Sequence, residues 1–324
     1  MAFPANVYLG AFVLAAFFST ASVPFWRRWC RRRGMVDDPG ERKIHSEPMP
    51  LAGGLAVLTG MVAPLMIGAA VIYLGNFNSD DLLRYGFSKR ALELGGILLG
   101  AMGMLLIGLL DDQIELRPAS KFAAQLACAL AVAAFGVRVT LFVHNTAFSY
   151  ALTALWILTV INAFNFMDNM NGLCGGLGAI AALSFGAIAA QRGQYLVAAT
   201  CWLIAGALLG FLPFNYPTAT VFLGDSGSHL TGYLMAILAI LPHFYTLKHQ
   251  RALAVLAPLL VLAVPLGDLA WVVWLRWRMG KPFYIGDTNH LSHRLVRRGL
   301  SKPRAVAFIW LLALVSGALA FLWQ

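Results

Sequence analysis

The sequence contains little charge, and acidic residues are especially few. Only 14 of its 324 residues are Asp or Glu and 12% are charged, whereas 60% are hydrophobic. No stretch is rich enough in Gly, Ser or Pro to separate soluble domains, and no internal repeat is visible. This composition excludes an ordinary soluble enzyme and predicts a single membrane-embedded domain that covers residues 1–324.

Cysteine is also scarce. The four cysteines fall in or beside different apolar segments and show no C-x-x-C spacing. This pattern argues against a zinc site or a disulfide framework, so the cysteines are interpreted as packing residues. They are Cys30, Cys128, Cys174 and Cys201.

Long apolar runs dominate the chain. A helix that rises about 1.5 Å per residue crosses a hydrocarbon core of about 30 Å with roughly 20 residues, and the runs repeatedly reach that length. They are continuous rather than alternating, which favours helices over a barrel. The fold class is therefore an all-α, polytopic integral membrane protein with about ten transmembrane helices. The expected spans are 7–26, 51–75, 91–110, 120–136, 148–166, 173–190, 194–212, 229–247, 252–275 and 304–323.

The distribution of Lys and Arg predicts the orientation. The first, third and ninth loops hold seven, two and seven of the 24 basic residues, whereas all the even-numbered loops together hold seven. The positive-inside rule places the odd loops in the cytoplasm and both termini outside a plasma (inner) membrane. The first span has its basic run after it, which indicates a retained anchor. A basic cytoplasmic rim explains the formal charge of +10 without a nucleic-acid partner.

Polar motifs also gather on the predicted cytoplasmic side. The pair Asp111-Asp112 ends the uncharged run 94–110, and two adjacent carboxylates at a helix mouth need a cation, a proton or water to offset them. The other motifs lie in the segments 36–54, 162–173, 222–228 and 287–294. Since the orientation was assigned from Lys and Arg alone, this agreement favours one cytoplasmic active site.

The residue types in these loops suit metal-assisted phosphoryl transfer. Carboxylate and amide oxygens are the ligands that Mg²⁺ prefers, and Mn²⁺ can substitute. The candidate oxygen donors are Asp111, Asp112, Asp168, Asp225, Asn162 and Asn165. Cations that can offset phosphate charge are Arg42, Lys43, Lys121 and Arg294, while His45, His290 and His293 can donate hydrogen bonds or transfer protons. Taken singly, each motif also fits a solvated helix end, a polar helix contact or a turn.

The order of the five motifs resembles the polyprenyl-phosphate N-acetylhexosamine-1-phosphate transferases of glycosyltransferase family 4, over most of the chain from Asp37 to about Arg298. The segment Arg42-Lys-Ile-His, with Pro265 and Asp268, is similar to the branch that starts envelope polysaccharides through undecaprenyl-phosphate GlcNAc-1-phosphate transfer. The expected substrates are a UDP-N-acetylhexosamine and a polyprenyl phosphate, and the expected products are polyprenyl-diphospho-sugar and UMP. A homodimer is compatible with this class.

The resemblance implies roles for individual residues. Asp111 and Asp112 would serve the reacting centre, with Asp225 as a magnesium ligand and Asp112 as the second candidate ligand. Asn165 and Asp168 would shape the metal and nucleotide site, and the segment 290–294 would hold the diphosphate. The chain departs from the family at Asn169, where glycine is usual, and at Ser292, where a histidine is usual.

Three alternatives remain open from the sequence. A phospho-N-acetylmuramoyl-pentapeptide transferase of peptidoglycan synthesis shares the motif order. An ion-coupled secondary transporter could use Asp168, Asp225 and Asp268, although its charges would be expected near the membrane midplane and in repeated halves. A non-catalytic membrane scaffold gives no reason for five polar motifs on one side. The one-step or covalent course of the transfer is also open.

Overall fold

Helices account for nearly all the regular structure. The computed structural model describes residues 3–38, 47–74, 82–140, 143, 145–242, 244, 252–282 and 286–323. The predicted site residues Arg42, Lys43 and His45 lie outside this part of the chain. The helices are α1 (Ala5–Arg33), α2 (Gly53–Leu74), α3 (Leu82–Ile114), α4 (Pro118–Ala134), α5 (Thr146–Met167), α6 (Leu173–Gln191), α7 (Tyr195–Phe211), α8 (Gly224–Ile240), α9 (Ala257–Val261), α10 (Ala263–Arg278), α11 (Leu291–Arg297) and α12 (Lys302–Leu322).

The all-α prediction is confirmed, and each predicted span overlaps one helix except 252–275, which overlaps both α9 and α10. Among the described residues, seven helices are long and apolar enough to cross a membrane, and α9 with α10 makes an eighth if this pair, bent by 70°, is one span. The other two predicted spans correspond to α4 and α8, which have 17 residues each. The protein is therefore a polytopic membrane protein with seven or eight spans by length and composition.

The break between α9 and α10 has a local cause. Pro265 lies in the first turn of α10 and has no N–H to donate to the carbonyl of Val261, the last residue of α9. Beyond the break, one stripe of α10 is buried and contains Pro265, Asp268, Val272 and Arg276. The helix therefore turns polar and charged side chains toward the protein, while Trp271, Trp274 and Trp277 remain exposed on it.

Helix α8 lies at the centre of the bundle. It packs against α2, α3, α5 and α6, and nearly all of its side chains are buried. Close approach to α3 depends on Gly108, because a Cβ there would lie 2.3 Å from the Cα of Ser226. This contact brings the carboxylates at the end of α3 to the first turn of α8.

A short hairpin covers the same end of the bundle. Strand β1 (Val36–Asp37) pairs antiparallel with β2 (Met49–Pro50). The hairpin is tied to the segment before α8, because Phe222 donates its N–H to Pro50 and accepts one from Gly53. The hairpin and the start of α8 thus border one space at the helix ends.

Candidate active site

A cavity of about 1200 Å³ opens where α3, α5, α8 and α12 meet the hairpin. Its polar lining includes seven carboxylates and several amides, and its apolar lining includes Leu51, Phe222, Val296 and Val306. The predicted site residues that line it are Asp111, Asp112, Asn165, Asp168, Asp225 and His293. The structure thus brings together residues that are far apart in the sequence.

Asp111 and Asp225 share one cation. The Nζ of Lys121 lies 2.5 Å from Oδ2 of Asp111 and 3.3 Å from Oδ2 of Asp225. Asp111 also accepts the backbone N–H of Leu116 at 2.8 Å. Asp111 is 9% exposed, so desolvation would be costly without the ammonium group beside it.

Asp112 points to a different partner. Its Oδ1 and Oδ2 accept the backbone N–H groups of Asp225 at 2.8 Å and Ser226 at 3.1 Å. These amides belong to the first turn of α8, whose partial positive charge favours a carboxylate. Gly224 precedes them with φ of 74°, and a Cβ there would lie 2.9 Å from Oδ2 of Asp112. Asp112 therefore caps α8 and orients Asp225.

Asn165 holds Asp225 from the opposite side. Its amide donates to Oδ1 of Asp225 at 2.6 Å and contacts the hydroxyl of Ser228 at 2.9 Å. Three different helices therefore fix this carboxylate through Lys121, Asn165 and the cap on α8. An ordered carboxylate of this kind is suited to metal ligation or charge stabilisation.

A row of buried polar side chains lies behind the carboxylate of Asp225. The amide of Asn162 donates to Oε1 of Gln125 at 3.3 Å, and the amide nitrogen of Gln125 lies 3.4 Å from Nε2 of His229. Among the described residues, the group with metal-ligating spacing is Asp111, Asp225 and His229, with ligand atoms within 4.8 Å of one another. Asp111, rather than the predicted Asp112, is the partner of Asp225 in this group.

Asp168 follows the last residue of α5. Burial raises the pKa of Asp168 well above its usual range, and the nearby charges of Asp225 and Asp112 raise it further. A carboxyl whose neutral form is stabilised in this way repels an approaching anion less than an exposed aspartate does. This property suits a cavity that receives phosphate oxygens.

The two unusual residues, Asn169 and Ser292, contact each other. The hydroxyl of Ser292 donates to Oδ1 of Asn169 at 2.6 Å, and the Asn169 amide donates to the carbonyl of Phe166 at 2.6 Å. Ser292 is fully buried. The pair links the α5–α6 turn, which carries Asp168, to α11.

His290 is oriented by Asp268. Its Nδ1 lies 2.7 Å from Oδ2 of Asp268, whose Oδ1 accepts the backbone N–H of Leu291 at 2.6 Å. The ring packs edge-on against Phe166, and Cζ of Arg276 lies 4.9 Å from the centroid of the same phenylalanine ring. Asp268 therefore both caps α11 and fixes the imidazole.

Arg276 and Asp287 tie the loop before α11 to α10. Nε of Arg276 donates to Oδ2 of Asp287 at 2.8 Å, and the backbone N–H of Asn289 donates to Oδ1 at 2.7 Å. Although burial acts in the opposite direction, these contacts hold the pKa of Asp287 below its usual value. The contacts fix the approach of the chain to His290.

The remaining residues of the histidine segment diverge. His293 lines the cavity, whereas Arg294 stacks over the ring of Trp271 at 4.8 Å from its centroid. Burial lowers the pKa of His293, and His290, Arg297 and Lys302 lower it further. His293 is the member of the predicted segment 290–294 that can reach a ligand in this cavity.

Sequence reasoning missed His229, Gln125 and the pairing of Asp268 with His290. A usable signal for His229 was its position four residues after Asp225, which places both side chains on one face of a helix. Gln125 lies four residues after Lys121 on the same face of α4. Lys302, which lines the cavity at the start of α12, was also not assigned a site role.

Fold and site together define a class: a membrane-embedded enzyme whose polar cavity at the helix ends is built for charged substrates. Comparison with known proteins agrees. Residues 94–243 match glycosyl transferase family 4. A decaprenyl-phosphate N-acetylglucosaminephosphotransferase of Mycobacterium tuberculosis (strain CDC 1551 / Oshkosh) is 33% identical over 328 residues, covering 92% of this chain and 77% of that protein. The chain belongs to glycosyl transferase family 4.

Two further relatives extend the comparison. A probable undecaprenyl-phosphate N-acetylglucosaminyl 1-phosphate transferase of Bacillus subtilis (strain 168) is 29% identical and covers 94% of this chain and 82% of its own length. The undecaprenyl-phosphate alpha-N-acetylglucosaminyl 1-phosphate transferase of Escherichia coli (strain K12) is 26% identical, with 94% and 81% covered. The protein is thus a phosphoglycosyl transferase, and the transporter and scaffold alternatives are set aside.

Proposed function

We propose that this protein transfers GlcNAc-1-phosphate from UDP-GlcNAc to a polyprenyl phosphate and so initiates a cell-envelope glycan. The observation that carries the proposal is the carboxylate site of Asp111, Asp225 and Lys121 in a cavity large enough for two substrates. Mixed polar and apolar walls suit a nucleotide sugar on one side and a lipid phosphate on the other. The names of the three relatives support GlcNAc as the sugar.

The residues present fit a divalent cation. Two carboxylates that are only partly neutralised by Lys121, with an adjacent buried imidazole, form a donor set of the right chemistry. We infer that Mg²⁺ is the cofactor and that Mn²⁺ substitutes for it. When bound, such an ion offsets the negative charge of the diphosphate.

The reaction forms one P–O bond and breaks another. An oxygen of the lipid phosphate attacks the β-phosphorus of UDP-GlcNAc, and the bond from this phosphorus to the bridging oxygen breaks to release UMP. A phosphate monoester has a second pKa of about 6 and is already mostly ionised near neutral pH. No strong base is therefore needed, and we favour direct displacement.

The protein side chains then have electrostatic and positioning tasks. Lys121 offsets anionic charge at Asp111 and Asp225, and Asp168 lines the cavity, where its raised pKa reduces the repulsion of phosphate oxygens. Asp112 and Asn165 keep Asp225 in place. His293 contacts the donor from the α11 side of the cavity.

A donor screen tests the proposed function. Purified protein with undecaprenyl phosphate and Mg²⁺ would be supplied in turn with UDP-GlcNAc, UDP-GalNAc and UDP-MurNAc-pentapeptide. We expect UMP release with UDP-GlcNAc and a lipid product whose mass equals undecaprenyl-diphospho-GlcNAc. Turnover with the pentapeptide donor instead, or a lack of turnover with all three donors, would overturn the assignment.

Isotope exchange tests the direct-displacement mechanism. Wild-type protein freed of lipid would be incubated with radiolabelled UMP and UDP-GlcNAc. Direct displacement predicts no exchange, because UMP cannot return to UDP-GlcNAc without a covalent phospho-sugar intermediate. Robust exchange that disappears in Asp111→Asn or Asp112→Asn would replace direct displacement with a double displacement.

We also propose that the cavity faces the cytoplasm and that both termini lie outside. The support is the excess of Lys and Arg in the odd-numbered loops. Exposed Ser301, beside the cavity, and exposed Gln191, at the α6–α7 turn, would each be replaced by cysteine. An impermeant thiol reagent on intact cells should label Gln191→Cys and spare Ser301→Cys, and the opposite pattern would reverse the topology.

A further inference from the structure

His229 is a buried imidazole beside the carboxylate site. It lies on α8 four residues after Asp225 and is 0% exposed. One ring nitrogen lies within 4.8 Å of a carboxylate oxygen of both Asp111 and Asp225. An aliphatic side chain would be expected at such a position in the middle of a membrane bundle, so the imidazole needs a physical explanation.

The hydrogen bonds of the ring do not supply that explanation. Nδ1 is buried and has no hydrogen-bond partner among the described residues. In the same described part of the chain, Nε2 contacts the amide nitrogen of Gln125 at a long 3.4 Å. Because buried polar atoms are nearly always paired, a ring that has one unpaired nitrogen and one long contact, and that lies beside two carboxylates, indicates a ligand between them.

The surrounding charge also favours a cation. The ammonium of Lys121 compensates one of the two carboxylates of Asp111 and Asp225, which leaves a net negative charge at the cluster. Gln125 is 1% exposed and is held by Asn162, so the protein side of the imidazole is fixed.

We propose that Asp111, Asp225 and His229 bind one divalent cation, with His229 as a nitrogen ligand on the buried side. This proposal rests on the proposed function only in identifying the ion with the cofactor of transfer. A nitrogen ligand shifts preference from Mg²⁺, which prefers oxygen, toward Mn²⁺ and later transition metals. The site is therefore expected to bind Mn²⁺ more tightly than Mg²⁺.

Pulsed electron paramagnetic resonance of bound Mn²⁺ tests the ligand directly. Full-length protein in detergent should show ¹⁴N modulation that disappears in His229→Asn and is retained in His293→Gln, a cavity histidine outside the cluster. Growth on ¹⁵N-histidine should convert the wild-type ¹⁴N signal to that of ¹⁵N, so the proposal can be tested even if the variant does not fold. Mn²⁺ affinity should fall about 10-fold or more in His229→Asn, and Mg²⁺ affinity should fall less.

Two results would overturn the site. One is Mn²⁺ that binds in an Asp225-dependent manner with no nitrogen coupling in wild-type protein, and the other is coupling that persists in a folded His229→Asn. UMP release is measured on the same samples. Nitrogen coupling without lipid-dependent UMP release would contradict the proposed function and leave the metal site standing. Transfer without nitrogen coupling would overturn the metal site and leave the proposed function standing.

Discussion

The two polar regions at the cavity are organised in opposite ways. In the carboxylate cluster, formed by Asp111, Lys121, Asp225 and His229, side chains from three helices face one another around a common point. In the histidine cluster, formed by Asp268, His290, His293 and Arg276, most charged groups are tied to separate partners. The first arrangement concentrates charge where a reaction can use it, and the second fixes a short helix and offers one imidazole to the cavity.

Access to the cavity explains part of this difference. In the carboxylate cluster, the side chains of Asp225 and Lys121 are 35% and 19% exposed, so this charge is available to a substrate or a bound ion. In the histidine cluster, Asp268, Arg276 and His290 are each 5% exposed or less, and their polar atoms contact one another or Asp287. We therefore expect substitution in the carboxylate cluster to cost more activity.

The largest effect should follow Asp225→Asn. This change keeps the size of the side chain but removes the charge of a carboxylate whose two oxygens contact Lys121 and Asn165. Transfer should fall about 100-fold or more, the scale of losing a metal ligand or a charge that acts in the reaction. Measured UMP release near the wild-type rate at limiting Mg²⁺, with equal expression, would remove this residue from the reacting centre.

A smaller loss should follow Asp268→Asn. The amide can still accept the Leu291 N–H but cannot provide a carboxylate to Nδ1 of His290. We expect transfer to fall about 10-fold through misplacement of α11, mainly as a higher KM for UDP-GlcNAc. A change in kcat equal to that of Asp225→Asn would mean that the two clusters do not differ as described.

A still smaller change should follow Ser292→Ala, which removes the hydrogen bond to Asn169. The free energy of substrate binding should weaken by about 1 kcal/mol, which is equivalent to a few-fold rise in KM. Ser316→Ala is a matched control, because that hydroxyl bonds within its own helix to Ala313. Steady-state kinetics showing equal effects of both substitutions would argue against a link between the α5–α6 turn and α11.

The smallest effect is the pH dependence of stability that arises from protonation of His293. Since the pKa of His293 is lowered, the imidazole should be neutral at pH 7, and a bound diphosphate should raise its pKa. The unfolded chain takes up this proton near pH 6.5, before the folded chain does, so stability should decline as pH falls below about 6.5. NMR of ¹³C-histidine protein, assigned with His293→Gln, measures the shift; no response to UDP-GlcNAc would place His293 away from the donor.

The sequence was sufficient for the helices and for six residues of the cavity lining, because apolar length and polar motifs at helix ends are local signals. It could not separate Asp111 from Asp112. Adjacent residues on a helix point about 100° apart. Asp111 therefore reaches Lys121, whereas Asp112 reaches the N-terminus of α8. That outcome depends on how α3 packs on α8.

Contacts between distant segments were also beyond sequence reasoning. Asp268 and His290 are separated by a loop and by a helix end, and Asn169 meets Ser292 across 123 positions. His229 was hidden within an apolar run. The cytoplasmic orientation and Arg42, Lys43 and His45 remain predictions, the last three because they lie outside the described residues.

The most direct test of the division between the clusters compares donor binding with the rate of transfer in Asp111→Asn and His293→Gln. Calorimetry without lipid gives the affinity for UDP-GlcNAc, and single-turnover reactions with polyprenyl phosphate at saturating donor give the rate. Asp111→Asn should lose far more in rate than in affinity, and His293→Gln should lose more in affinity than in rate. The reverse pattern would contradict a reacting centre at the carboxylate cluster.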